Sequence, residues 1–266
     1  MKRALTVYSA MELGALRMVF ASAVMLPFAF KGFRRITANQ WFYLILFGLL
    51  GNTFPAFLFA KAQTHIDSSL AGILNALTPI FVLIVGLIFY HLKVTLINII
   101  GLLMGVVGAA AIIYSSGAGQ IDINFKYSGY IILATVFYSL NINIVKYKLA
   151  DLDSVKISVY GFSILFLPLV LVLLFATPFL QTVQLPGAAE VLIYPAILGI
   201  ICSAAAIVAF NTLIHMSSTI FASSVTYLIP IVALIFGVLD GERFTFWMGI
   251  WIMVIIVGVL LVNKKK

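Results

Sequence analysis

An all-α polytopic membrane fold, with about nine transmembrane helices in two inverted repeats of four plus five, is what this sequence predicts, and three observations carry it. The first is composition. Of 266 residues, 64% are apolar and 9% charged, with a mean hydropathy of +1.19, against roughly 45–50% and about 25% in soluble domains. A soluble globule of this size needs far more water-compatible side chain. The second is spacing: charges, His and Gly/Ser/Pro/Asn clusters cut the chain into runs of the roughly 20 apolar residues that cross about 30 Å of hydrocarbon. The third is that the chain aligns with itself at an offset of 151 residues.

In order, the runs are 13–30, 40–60, 68–90, 95–115, 127–145, 157–177, 190–213, 218–239 and 244–263. The seventh and eighth are divided only by His215-Met216-Ser217. Strands of a membrane barrel would be about ten residues long and alternate polar with apolar; these runs do neither. Lipid bilayer is therefore the expected surrounding.

Short loops fix the orientation by their Lys and Arg. Lys31, Arg34, Arg35, Lys93, Lys146, Lys148, Lys156 and Lys264 to Lys266 make ten cations on the side of the C-terminus, against five (Lys2, Arg3, Lys61, Lys126 and Arg243) on the other. That places the C-terminus in the cytoplasm, and the membrane is expected to be a bacterial inner membrane. A net charge of +8 raises nucleic acid as a partner, but cations scattered between long uncharged runs form no basic face. With one cysteine, Cys202, the chain has neither an internal disulfide nor a paired-Cys metal site.

At the offset of 151, Gly48 falls on Gly199, Phe59 on Phe210, Ala71 on Ala222, Pro79 on Pro230 and Gly86 on Gly237, with nine of 39 positions identical and no gap. Leu and Ile matches are cheap in such a chain, so the aligned Pro and Gly carry the weight. The second run enters the membrane from the side opposite to its partner, the seventh, so the repeats, 1–120 and 121–266, are inverted. Inverted repeats build many secondary transporters, with substrate near the midplane between the halves. The first repeat lacks a counterpart of the fifth run, which predicts a further apolar helix before Met1 and ten spans in all.

These features resemble the drug/metabolite transporter superfamily, EamA-like branch. The resemblance rests on Ser9 to Pro27 (SAMELGALRMVFASAVMLP), similar to the family's Arg-bearing second helix, on Ala71 to Gly86 and Ala222 to Gly237, and on Asp240-Gly241-Glu242, like its closing Gly-Glu. Tyr90-His91-Leu92-Lys93 departs from that pattern in the first repeat, and the family's opening helix is absent. The resemblance implies export or uptake of small metabolites such as amino acids by alternating access, and importance for Arg17. It implies no cofactor.

Polar groups within spans are costly in hydrocarbon and usually face a bundle interior or wet cavity. On ideal helices Gly72, Asn75, Pro79 and Gly86 share a stripe in the third run, and Ser223, Thr226, Tyr227, Pro230 and Gly237 share one in the eighth. Each Pro removes the N–H partner of the carbonyl four residues earlier, Asn75 or Thr226, which either faces a ligand or is taken by a neighbouring hydroxyl or water. Asn52 and Ser203 occupy matching places in the second and seventh runs; Tyr138 and Asn141 belong to the densest polar cluster, in the fifth. Substrate binding is expected at Asn52, Asn75, Pro79, Tyr138, Asn141, Ser203, Ser223, Tyr227 and Pro230. Arg17 is read as a charge at the outer mouth, reaching the interface along its own aliphatic stem, and Trp41 as an interface anchor.

All eight carboxylates fall at run ends or in loops, as do His65, His91 and His215, so no proton relay through a mid-membrane acid is visible. No run sets a base beside a nucleophile, and no His, Cys, Asp and Glu residues stand at metal-ligand spacing, which excludes a membrane enzyme. A small, neutral or zwitterionic substrate follows, and a non-transporting helical scaffold or degenerate transporter is the alternative.

Overall fold

The structure, a computed structural model, describes residues 3–30, 36–115, 124–239 and 245–263. Lys2, Lys31, Arg34, Arg35, Asp122, the Asp240-Gly241-Glu242-Arg243 stretch and Lys264 to Lys266 lie outside them. Among the described residues there are helices and no strands. Apart from the short turn Phe179–Thr182, they are in chain order α1 (Ala10–Ala29), α2 (Ala38–Ala62), α3 (Ser68–Asn75 continued by Thr78–Tyr90), α4 (Leu96–Ser115), α5 (Phe125–Lys148), α6 (Ser154–Phe175), α7 (Ala188–Met216), α8 (Thr219–Ser224, Val225–Leu228 and Ile229–Leu239) and α9 (Phe246–Asn263). By length and composition eight of these can cross a membrane. The exception is α8, whose apolar stretch, Thr219–Val232, is shorter and interrupted by a 3-10 turn.

Helix starts are written in the sequence. Ser9 with Glu12 and Thr37 with Gln40 form reciprocal capping boxes for α1 and α2, satisfying N–H groups that have no partner inside the helix. Asn124, Asp153 and Ser218 cap α5, α6 and α8. α3 ends where His91 turns left-handed, at φ 50°.

The two largest of five buried apolar clusters hold most of the bundle. α1 packs along α6, α2 and α3 along α5, and α7 against α1. The larger core, which includes Met18, Leu44, Phe47, Ile142, Ile157 and Phe162, fills the halves of these helices nearest the C-terminal face. The second joins α4 to α9. There Gly101 and Gly258 bring the two backbones together so closely that neither has room for a Cβ, the small-residue packing that dispersion requires in lipid. Outward-facing Ile88, Phe89, Leu103, Leu167 and Leu260 are exposed, as expected of side chains that meet acyl chains.

The halves correspond in their irregularities. α2 widens into a π turn at Leu49–Thr53 and α7 into one at Ile200–Ala205, and these begin 151 residues apart, the offset of the sequence repeat. α3 breaks at Ala76-Leu77, and α8 tightens at Val225–Leu228, each just before its aligned Pro.

Candidate functional site

Between the halves lies a cavity of about 210 Å³. Three pairs of residues related by the 151-residue offset line it: Gly51 and Cys202, Asn52 and Ser203, Asn75 and Thr226. α1 contributes Arg17 and Met18; α5 contributes Tyr138, Asn141 and Ile142; Thr78, Ile207 and Phe210 complete the wall. Two larger hollows, of about 450 and 320 Å³, lie on the outside of the bundle and are lined almost wholly by apolar side chains.

Each π turn serves this cavity. A wide turn leaves a carbonyl without its usual partner, and the side chain five residues later supplies one: Asn52 Nδ2 donates to the Phe47 carbonyl at 3.4 Å, and Ser203 Oγ to the Leu198 carbonyl at 3.1 Å. Gly51, in the first turn, stands against the Asn141 amide with no room for a Cβ. Asn141 is 5% exposed and its Oδ1 has no donor. An orphaned acceptor on a cavity wall is an invitation to a ligand N–H or O–H.

Arg17 stands about 10 Å along α1 from its start, in the cavity wall. Its Nε donates to Ser203 Oγ at 2.9 Å, which ties the side chain to α7. Among the described residues no carboxylate lines the cavity.

Of the nine expected binding residues, the cavity gathers Asn52, Asn75, Tyr138, Asn141 and Ser203 and leaves out Pro79, Ser223, Tyr227 and Pro230. Ser223 Oγ donates to the Ile220 carbonyl, and the Tyr227 hydroxyl donates to the Leu102 carbonyl at 3.1 Å, its ring filling the space over Gly105 of α4. Among the described residues of the eighth run's stripe only Thr226 takes the inward place. The reason is the 3-10 turn, which advances three residues per turn and so rotates the stripe that an ideal α-helix would keep. Nor are the two proline-freed carbonyls open to a ligand. That of Asn75 accepts from Thr78 Oγ1 at 2.7 Å, and that of Thr226 from the Ile229 N–H. Thr78 and Cys202 are lining residues that the stripe on straight helices did not identify; for Cys202 the repeat offset from Gly51 was the available signal, and nothing in the repeat pointed to Thr78.

Other polar residues act as interhelical ties. Asn211 Nδ2 donates to Ser158 Oγ at 2.9 Å, and Asn143 Nδ2 to the Val82 carbonyl at 3.2 Å. Trp41 packs edge-on against Tyr160, centroids 5.8 Å apart. Lys146 Nζ donates to the carbonyls of Ile214, His215 and Ser217 at 2.6–3.0 Å, closing the C-terminal end of α7. At the other face the start of α1 is tied to the α6–α7 connection. Glu12 Oε1 accepts from Thr182 Oγ1 at 2.7 Å, and the Tyr8 hydroxyl donates to the Ala188 carbonyl at 2.8 Å. Burial, then the neighbouring Glu12, raises the Tyr8 phenol above its usual range. No group of three His, Cys, Asp or Glu residues able to hold a metal occurs among the described residues.

Comparison with known proteins agrees with this architecture. Twenty-nine solved chains match; one crystal structure, titled only as that of a protein, covers 97% of this chain and 90% of its own at a TM-score of 0.74 and 18% identity. At that identity the likeness is one of fold. No curated protein matches the chain. The family model for EamA-like transporters matches twice, over residues 1–114 and 126–264. A membrane bundle whose two halves meet at a polar cavity, matched nearly end to end by that description, belongs to the EamA-like transporter family.

Proposed function

We propose that the protein is a secondary transporter that moves a small neutral or zwitterionic metabolite, such as an amino acid, across the bacterial inner membrane by alternating access. The C-terminus faces the cytoplasm, as the ten-to-five distribution of cations favours. Residues 1–120 and 121–266 are the two inverted units, and substrate sits in the cavity between them. The observation that carries this reading is the set of repeat-related wall residues, Asn52 with Ser203 and Asn75 with Thr226, meeting in one polar hollow. Inverted repeats place a shared site at the depth where rocking of one unit against the other exposes it to either face. With no carboxylate in the lining among the described residues, recognition rests on Arg17 and on neutral polar groups. Pro79, Ser223, Tyr227 and Pro230 support this site by shaping the interrupted helices.

Uptake of a panel of radiolabelled amino acids, nucleosides and sugars into proteoliposomes tests the reading. Saturable uptake of at least one solute, lost in Asn75→Leu and Asn141→Leu variants that remain monodisperse, is the expected result. Absence of uptake of every solute in both membrane orientations overturns it in favour of a helical scaffold.

A further inference from the structure

Arg17 is a guanidinium in the middle of a membrane-spanning helix, and one hydrogen bond, from Nε to Ser203, is all that the described residues give it. Ser203 is itself committed to the Leu198 carbonyl, so it fixes the orientation of the guanidinium without neutralising it. A charge in this position is costly and is normally paired with another charge or with backbone carbonyls. Among the described residues no acid lines the cavity. The remaining N–H groups of Arg17 form a planar fork that fits carboxylate or phosphate. Across the same cavity, Asn141 Oδ1 is buried and lacks a donor. The wall thus presents one unneutralised cation and one unfilled acceptor.

We infer that the cavity binds a solute carrying an anionic group, carboxylate or phosphate, on Arg17 and an N–H or O–H donor on Asn141. This deepens the transport reading and rests on it: the anionic group excludes simple amines and uncharged sugars, a carboxylate keeps the zwitterionic class, and a phosphate replaces it by an anionic one. The ligand completes the ion pair that the protein leaves open, and its donor fills the acceptor that α5 leaves open. Met18, Ile142 and Phe210 give the rest of the solute an apolar bed.

The single cysteine of the chain, Cys202, adjoins Ser203, is exposed and lines the same cavity, so its labelling rate reports the local potential without knowledge of the substrate. Two methanethiosulfonate reagents of similar size, one bearing a sulfonate and one a quaternary ammonium, are compared on the purified full chain in detergent. Each rate is normalised to that on a free small thiol. The expected result is a preference for the sulfonate of about tenfold or more, retained in Arg17→Lys and lost in Arg17→Gln. No such preference in the parental protein overturns the inference even if Arg17→Gln does not fold, and so does a preference that survives in a folded Arg17→Gln variant. Slowing of the labelling by leucine or phenylalanine assigns a carboxylate; slowing by glycerol phosphate assigns a phosphate; slowing by isoamylamine and by neither class of anion overturns the site. An anion preference in a protein that transports nothing keeps this site and removes the transport reading. Transport without the preference removes the site alone.

Discussion

Asn52 and Ser203 make the same hydrogen bond in the two halves of the molecule, each donating its side chain to the carbonyl five residues earlier. They differ in what else they hold: Ser203 accepts from Arg17, whereas Asn52 has no such cation. The repeats therefore share a backbone device and diverge in charge, which is how a pseudo-symmetric cavity acquires a direction for its ligand.

Ser203→Ala removes the acceptor that orients Arg17. Hydrogen bonds to charged groups contribute about 1.5–3 kcal/mol, so the KM for uptake is expected to rise about tenfold or more with the fold retained. In a double-mutant cycle with Arg17→Gln the two losses should be markedly less than additive, because both remove one interaction. Additive losses would mean that the two side chains act separately.

Gly51→Ala puts a methyl where the Asn141 amide lies. That amide is the end of a short side chain and can swing aside, so the expected outcome is loss of uptake with little loss of thermal stability. Gly129 has nothing near the place of its absent Cβ. Gly129→Ala should leave uptake unchanged and serves as the control measured beside it.

Asn75→Leu and Tyr227→Leu should fail in different ways. Asn75 lines the cavity, and its replacement is expected to abolish uptake while the melting temperature holds. Tyr227 is fully buried against α4, so its truncation should destabilise the bundle by about 2–4 kcal/mol. Tyr227→Phe, which loses only the bond to Leu102, should keep uptake at a cost of about 1 kcal/mol.

Lys146→Met leaves three carbonyls at the end of α7 without their common donor. A loss of about 1.5–3 kcal/mol in chemical denaturation is expected, partly restored by Lys146→Arg. Limited proteolysis should cut first near Ser217.

The Tyr8 phenol is raised in the folded protein, so the native state holds its proton more tightly than the unfolded chain does. Its contribution to stability is complete below the unfolded value of about 10 and is lost as pH rises through the folded value. Tyr8→Phe should flatten this alkaline limb of the pH–stability curve.

Much of the architecture was legible because lipid leaves few choices. Run length gave the spans, and Pro79 and Pro230 gave the breaks in α3 and α8, since an imino nitrogen cannot sustain a helix ladder. Asn75, Asn141 and Ser203 reached the cavity as their polarity within apolar runs implied. Tyr227 did not, because periodicity was counted on straight α-helices while α8 passes through a 3-10 turn. The direction in which Arg17 bends was not legible for a related reason. Distance along a helix tells how far a long side chain lies from the interface, but only the neighbouring α7 decides which way it bends. The π turns have no local signature, and Gly48 and Gly199 stood out only through their alignment.

A wide turn amounts to a residue inserted into a helix, and this chain carries one at the same register in each half, with the same side-chain repair. Such an insertion shifts every later residue by about 100° around the axis and disturbs packing along the helix. Its presence at matching sites is most simply inherited from a single ancestral unit that already possessed it before the gene was doubled. The serine and asparagine that now repair the two turns then record how far the copies have drifted, and reconstruction of the common unit would start from a half-length helical bundle with a widened third span, counted as in 121–266, assembling as an antiparallel pair.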